Sequence, residues 1–314
     1  MNSTALWCIG SGQAELRSSS LGKGVLVENL FSGISRGTEK LVFEGLVPKS
    51  EADRMRCLGQ EGEFSFPVKF GYCSVGRVSE GELAGTNVFV LHPHQTQFRV
   101  DPEDLHVLPE GLSPEKAILA ANMETALNIT WDSQASAGDK IAVIGAGVIG
   151  LLVAYLLAKL PGSDVTVIDK NPNRSEIAKQ LGLKFANPEA APRDCDVVIH
   201  TSASSDGLAL ALEIAGDEAK IIEASWYGEQ QVVLPLGGAF HSRRLSLISS
   251  QVGSLPVSKK PRWDHKRRMS KALELLLDPE LDVLISGETK FEDIATEYQG
   301  ILHDPETLCH RIRY

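Results

Sequence analysis

The segment Gly145-Ala-Gly147-Val-Ile-Gly150 constrains this chain more than any other. It follows a short apolar run, Ile141–Ile144, and opens an apolar helix expected over about 149–160. A second strand candidate, Val165–Ile168, ends at Asp169, 19 residues beyond Gly150. Glycine-rich hexapeptides occur by chance, but strand, turn, helix and a following acidic residue together make the dinucleotide fingerprint. Gly145 permits the tight turn, Gly147 removes the Cβ that would block a pyrophosphate, and Gly150 lets the helix lie close to the strand. The unpaired N–H groups of the first turn, around Val148 and Ile149, would face the phosphates. Asp169 would accept hydrogen bonds from the ribose hydroxyls and repel a 2′-phosphate, which favours NAD(H) over NADP(H). Lys170 and Arg174, close behind it, soften that preference. The plain alternative is a tight strand–helix turn with no ligand.

The uncharged stretch 141–158 also has the length of a membrane span, but its three glycines split it into strand, turn and helix. From Lys140 onward, strands expected at 141–144, 165–168, 197–200, 221–224 and 245–249 alternate with helices at 149–160, 172–181 and 206–215. That alternation predicts right-handed crossovers and a parallel, doubly wound sheet. The first hundred residues read instead as β-rich, with strands expected at Val25–Val27, Val75–Val78 and Val88–Leu91. Ser113-Pro114-Glu115 starts a helix expected to run to about Ile129. Beyond Pro261 come a basic amphipathic helix over 263–277, a strand-like Leu281–Ile285 and a last helix near 291–302. The basic run Lys259–Lys260, Arg262 and Lys266–Arg268 reads as a solvated face.

A length of 314 residues predicts two domains, and a net charge of -10 argues against nucleic acid as a partner. Five scattered cysteines without a CxxC pair read as free thiols in a reducing, cytoplasmic setting. The start of the chain shows no basic-then-apolar secretory pattern.

Beyond the fingerprint, Ser32-Gly-Ile-Ser-Arg-Gly-Thr-Glu39, Phe70-Gly-Tyr-Cys-Ser-Val-Gly-Arg77 and Met123-Glu-Thr-Ala126 resemble the active-site loops and nicotinamide-facing helix of the medium-chain dehydrogenase/reductase superfamily. The resemblance covers nearly the whole chain. It implies an α/β protein with a GroES-like, barrel-like catalytic domain (1–113 and 262–314) and a Rossmann domain (114–261), the active site in the cleft, and a homodimer or homotetramer. Zinc-dependent members carry Cys, His and a further Cys or acidic ligand where this chain has Ser35, Tyr72 and, near Ala121, none. The four-cysteine structural zinc loop is absent too. The resemblance therefore points to a zinc-free branch, loosely similar to bacteriochlorophyllide-type dehydrogenases, with no metal ligands expected.

Hydride transfer needs orientation and electrostatics from the protein, plus a proton donor or acceptor near the substrate oxygen. Tyr72, at the position of a zinc-binding His in the resembled family, is the first candidate; its alternative is an aromatic pocket wall. Glu39 and Glu124 are further acid/base candidates, or capping carboxylates, and Ser35 is a polar lining residue. The resemblance places Arg36 on the pyrophosphate and Thr125 at the cofactor. His92-Pro-His94 has a metal-compatible spacing but no third ligand. His241 and Arg243 are candidates for an anionic substrate, and Trp226 for the crevice lining. These residues support an NAD(P)-dependent oxidoreductase of a small alcohol or carbonyl compound. An NADPH-dependent enone or quinone reductase and a non-catalytic dinucleotide sensor or partner subunit remain open. The segment 48–66 has no assigned role.

Overall fold

The computed structural model describes residues 3–314, and the chain divides into two compact units, 1–121 with 269–314, and 122–268. The divisions fall at 121/122 and 268/269, where the sequence reading sets 113/114 and 261/262. The short helix Pro114–Ala117 belongs with the first unit because the chain after it packs on a strand there. A Cβ added at Gly33 would lie 3.1 Å from the Ile118 side chain.

The second unit is an α/β layer structure. Its six strands lie in the order Lys184–Ala186, Asp164–Ile168, Lys140–Ile144, Cys195–His200, Ala215–Glu223, Ser246–Ser249, and all neighbours are parallel. This is the doubly wound order, with its switch point between Lys140–Ile144 and Cys195–His200. Strands covered on both faces read as continuous apolar runs; Ile141, Ala142, Val143, Val198 and Ile199 are all fully buried. Helices Val148–Ala158, Arg174–Gln180 and Ser205–Ile214 supply the crossovers, as the alternation predicts. The edge strand Lys184–Ala186 is too short for its pattern to stand out in the sequence.

The first unit holds a four-stranded sheet, in the order Gln13–Ser19, Ser3–Gly10, Val68–Lys69, Glu61–Gly62, and a seven-stranded mixed sheet centred on Val25–Ser35. Val27, Val78, Val88, Val90, Phe98, Val100 and Leu105 form one core cluster. The C-terminal strand Cys309–Arg313 pairs antiparallel with Val25–Ser35, which returns the end of the chain to the first unit. This unit is consistent with a GroES-like domain.

Three expectations are corrected. The helix predicted over 114–129 is two, Pro114–Ala117 and Ala120–Ser133; Leu119 N–H bonds Lys116 C=O, and Ile118 and Leu119 turn fully inward. Leu281–Ile285 is not a strand: Pro279–Leu284 forms a 3₁₀ helix capped by Asp278, and the strand is Ile285–Lys290. The basic run is not wholly a solvated face, because Arg268 is buried. Its guanidinium bonds the Glu124 carboxylate at 3.0 Å, Asn128 at 2.6 Å and the Val252 carbonyl at 2.6 Å. Among the described residues, no helix is long and apolar enough to cross a membrane.

Candidate functional site

Each glycine of the fingerprint has a separate geometric reason in the second unit. Gly145 sits at φ +109°, and a Cβ there would lie 2.8 Å from Thr201 Oγ1. Gly150 is tighter still, since its Cβ would meet the Gly145 carbonyl oxygen at 1.8 Å. Gly147 differs: it caps helix Val148–Ala158 in an extended conformation, and nothing lies within 4 Å of its Cβ position. Two glycines thus build the turn, and the middle one leaves open space above a helix N-terminus. That space suits a pyrophosphate, which the unpaired N–H groups and the positive end of the helix would bind. Val148 and Ile149, in the first turn, are half-buried.

Asp169 follows the strand Asp164–Ile168 and reaches across to the same turn. Its Oδ2 accepts from Ala146 N–H at 2.7 Å and its Oδ1 from Asn171 N–H at 2.8 Å. The carboxylate is fixed in place with lone pairs left over for further donors. Lys170 beside it is exposed, whereas Arg174 is buried in the helix that follows. The residues present fit a nicotinamide dinucleotide.

The remaining cofactor and acid/base candidates have different surroundings. Glu124 is buried and paired with Arg268; burial raises its carboxyl above the ordinary range against the opposing pull of that guanidinium. Such a carboxylate holds the fold, so the acid/base role considered for it is not supported by its contacts. Thr125 is half-buried on the same helix. Trp226 is half-buried beyond the C-terminal end of the strand Ala215–Glu223, on the crevice side of the sheet. Arg243 lies at the opposite edge. It precedes the strand Ser246–Ser249, donates to the Ala215 carbonyl at 2.6 Å and lies 3.7 Å from Asp194, all at the strands' N-terminal ends. In a parallel sheet the residue before a strand cannot share the edge that binds ligands, so its assignment to an anionic substrate is corrected. His241 is exposed on the short helix Ala239–Ser242 leading into it.

In the first unit, Glu39 is the hub of a buried network. Its carboxylate accepts from Ser35 N–H at 2.7 Å, His94 Nε2–H at 2.9 Å and Tyr298 O–H at 2.6 Å. His94 Nδ1 in turn meets Ser32 Oγ at 2.8 Å, and Ser32 meets the Tyr314 hydroxyl at 2.9 Å. The Ser35 contact is local, a helix-capping one within four residues, but His94 and Tyr298 come from distant segments that no local pattern reveals. Tyr72 stands beside this network, hydrogen-bonded through Ser35 and Thr38. Burial, then the neighbouring Cys73, pushes its phenol above the ordinary range, while Ser35 and Thr38 pull the other way. A hydroxyl held protonated in this way donates a hydrogen bond rather than acting as a base. Arg36 donates to the Asp304 carbonyl at 2.9 Å. His92 stacks on Phe98 at 3.7 Å and burial lowers its pKa to about 3, so the two imidazoles of His92-Pro-His94 have separate structural roles. The segment 48–66 contains the 3₁₀ turn Lys49–Glu51 and passes close to His92; a Cβ at Gly59 would lie 2.5 Å from that ring.

Among the described residues no group of three His, Cys, Asp or Glu side chains is placed to hold a metal.

His200, which the sequence shows only as a histidine ending the otherwise apolar run Val197–Ile199, lies buried at the crevice end of its strand, 2.8 Å from Glu223 and 2.7 Å from Ser202.

A family model described as ketopantoate reductase PanE/ApbA matches residues 141–215. The (R,R)-butanediol dehydrogenase of Bacillus subtilis strain 168 is 35% identical over 159 residues, 50% of this chain and 42% of that protein. An uncharacterized zinc-type alcohol dehydrogenase-like protein of Escherichia coli K12 is 28% identical over 176 residues, 52% of this chain and 49% of its own length. The matches span only about two fifths to three fifths of the first curated relatives. Over the whole chain, the fold superimposes on a protein of Escherichia coli CFT073 described as a short chain alcohol dehydrogenase, complexed with NADH. The TM-score is 0.78 at 18% identity, with 100% of this chain and 99% of the other covered.

Proposed function

We propose, starting from the medium-chain dehydrogenase/reductase superfamily that its relatives and fold support, that this chain is an NAD(P)-dependent oxidoreductase of a small alcohol or carbonyl compound. The observation that carries the reading is the glycine turn, with open space at Gly147 and an acid held 2.7 Å from its backbone. The bound nicotinamide would supply the hydride chemistry. The side chain of Asp169 would take the adenosine ribose hydroxyls and disfavour a 2′-phosphate, so NAD(H) is the preferred form. The Tyr72 hydroxyl, kept protonated by its burial, would donate to the substrate oxygen, and the Glu39 network would hold the Ser35–Tyr72 wall in place. The test is a steady-state screen of secondary alcohols and polyols with NAD at neutral to alkaline pH, followed at the NADH absorbance. Turnover supports the reading; no turnover with either nucleotide across alcohols, carbonyls and enones would leave a binding protein without catalysis.

The reaction would proceed without zinc, although the relatives include a zinc-type protein. What supports this is that, among the described residues, no group of three His, Cys, Asp or Glu side chains could hold a metal ion. Extended dialysis against a chelator is expected to leave activity unchanged and the zinc content far below one ion per chain. A loss of activity restored by zinc alone would refute it.

A homodimer is the proposed assembly. The strand Ser246–Ser249 ends the six-stranded sheet, is exposed along its length, and carries Leu247 and Ile248 with more than a third of their surface open. An exposed apolar edge strand is a template for pairing with a second copy. Leu247→Lys with Ile248→Lys should shift the mass in solution from dimer to monomer, measured by light scattering. An unchanged dimer would place the interface elsewhere.

A further inference from the structure

A second constellation lies in the unit 122–268, with Ser202 packed against the glycine turn: a Cβ at Gly145 would lie 3.0 Å from Ser202 N and 3.1 Å from its Cβ. His200 ends the strand Cys195–His200 and is completely buried. Its Nδ1 lies 2.8 Å from Glu223 Oε2, and its Nε2 lies 2.7 Å from the Oγ of Ser202, which is exposed. Glu223 has other donors as well: Ser225 N–H at 2.7 Å and the Tyr227 hydroxyl at 3.1 Å. Burial works against its charge, but the hydrogen bonds and the imidazole prevail and hold the carboxyl below its ordinary range. In its neutral tautomer with the proton on Nδ1, facing Glu223, His200 offers Nε2 as the acceptor for the Ser202 hydroxyl.

The surroundings fit this pair closely. A Cβ at Gly207 would lie 2.6 Å from Ser202 Oγ and 2.7 Å from His200 Nε2, so only glycine leaves room for their hydrogen bond. Ala203, next in the chain, sits at φ +49°, a conformation unfavourable for a residue with a side chain. The helix Ser205–Ile214 begins immediately afterwards, with Ser204 accepting from Gly207 N–H. The first-turn N–H groups of Ser205 and Asp206 have no acceptor within the helix.

We propose that Ser202, His200 and Glu223 form a base-activated serine site that accepts an acyl group from a small neutral carboxylic ester. The Ser202 oxygen attacks the carbonyl carbon as its proton passes to His200 Nε2. The developing oxyanion is drawn toward the N-terminal N–H groups of the helix. The bond to the leaving oxygen breaks, and His200 returns the proton to the departing alcohol. Water then repeats the sequence on the acyl-serine, releasing the carboxylic acid and restoring Ser202. No oxidant or reductant is needed. The exposed carboxylate of Asp206 on the same turn disfavours an anionic ester.

The test is covalent labelling of the full chain with a fluorophosphonate probe, located by peptide mass spectrometry, together with hydrolysis of p-nitrophenyl acetate. Labelling is expected at Ser202 and should vanish in Ser202→Ala. It should slow about a hundredfold or more in His200→Asn. Glu223→Gln and Gly207→Ala should slow it in the same direction, and they supply the answer if His200→Asn does not keep a cooperative melting transition. An unlabelled Ser202, under conditions that fully label an added serine hydrolase, overturns the proposal. So does labelling at an unchanged rate in folded Glu223→Gln, which would make Ser202 an ordinary exposed serine.

Discussion

Gly147→Val is expected to leave the fold intact and to reduce affinity for NADH by a hundredfold or more. No atom lies within 4 Å of the Cβ position, and the residue's extended backbone is one that valine adopts readily. The melting temperature should therefore move little. The branched side chain would instead fill the space above the helix N-terminus, where the pyrophosphate must approach. A hundredfold loss corresponds to about 2.7 kcal/mol of binding free energy, within what the loss of several charge-assisted hydrogen bonds produces. Gly150→Ala makes the contrast. Its Cβ would lie 1.8 Å from the Gly145 carbonyl oxygen, a backbone atom, so the strand–helix junction must separate and stability falls together with binding. Fluorescence titration with NADH and thermal melting of the two variants distinguish the cases. A Gly147→Val protein that binds NADH normally would remove the glycine turn from the cofactor site.

Tyr72→Phe is expected to lower kcat by about a hundred- to a thousandfold, the range for removing one hydrogen-bond donor to a developing oxyanion, while NADH affinity stays within a few-fold. The variant keeps the ring and its edge contact with Phe70, at 6.0 Å between centroids, and removes only the hydroxyl bonded through Ser35 and Thr38. Because burial holds that phenol protonated across the working range, the wild-type rate of carbonyl reduction should show no loss attributable to Tyr72 up to pH 9. Steady-state kinetics of both proteins from pH 6 to 9 check this. Unchanged kcat in Tyr72→Phe would reduce Tyr72 to a wall of the pocket.

The parts legible in the sequence are those set by local chemistry. The fingerprint is legible because its spacing along the chain is local, although Gly145 itself answers to Thr201 and Ser202 from a distant strand end; the strand–helix alternation follows from strands buried on both faces. The rest depends on long-range pairing. Arg268 looks like one more basic residue on a polar helix face until Glu124 and Asn128, on the helix Ala120–Ser133, are found beneath it. Glu39 is a carboxylate of unspecified role in sequence; His94 and Tyr298, from distant segments, make it a structural hub. The residue type of Arg243 suggests an anion site, while its position before a parallel strand puts it at the strands' N-terminal ends. His200 and Glu223 end neighbouring parallel strands, a register that only the sheet reveals.

The central claim is tested most directly by titrating the metal-free protein in parallel with NADH and NADPH, read by nicotinamide fluorescence and thermal shift. Saturable NADH binding, tighter than NADPH, is predicted, with about 2.7 kcal/mol of added stability at a hundred times the dissociation constant. Tighter NADPH binding would contradict the role given to Asp169 and favour an enone or quinone reductase. Binding of neither nucleotide would contradict the account as a whole.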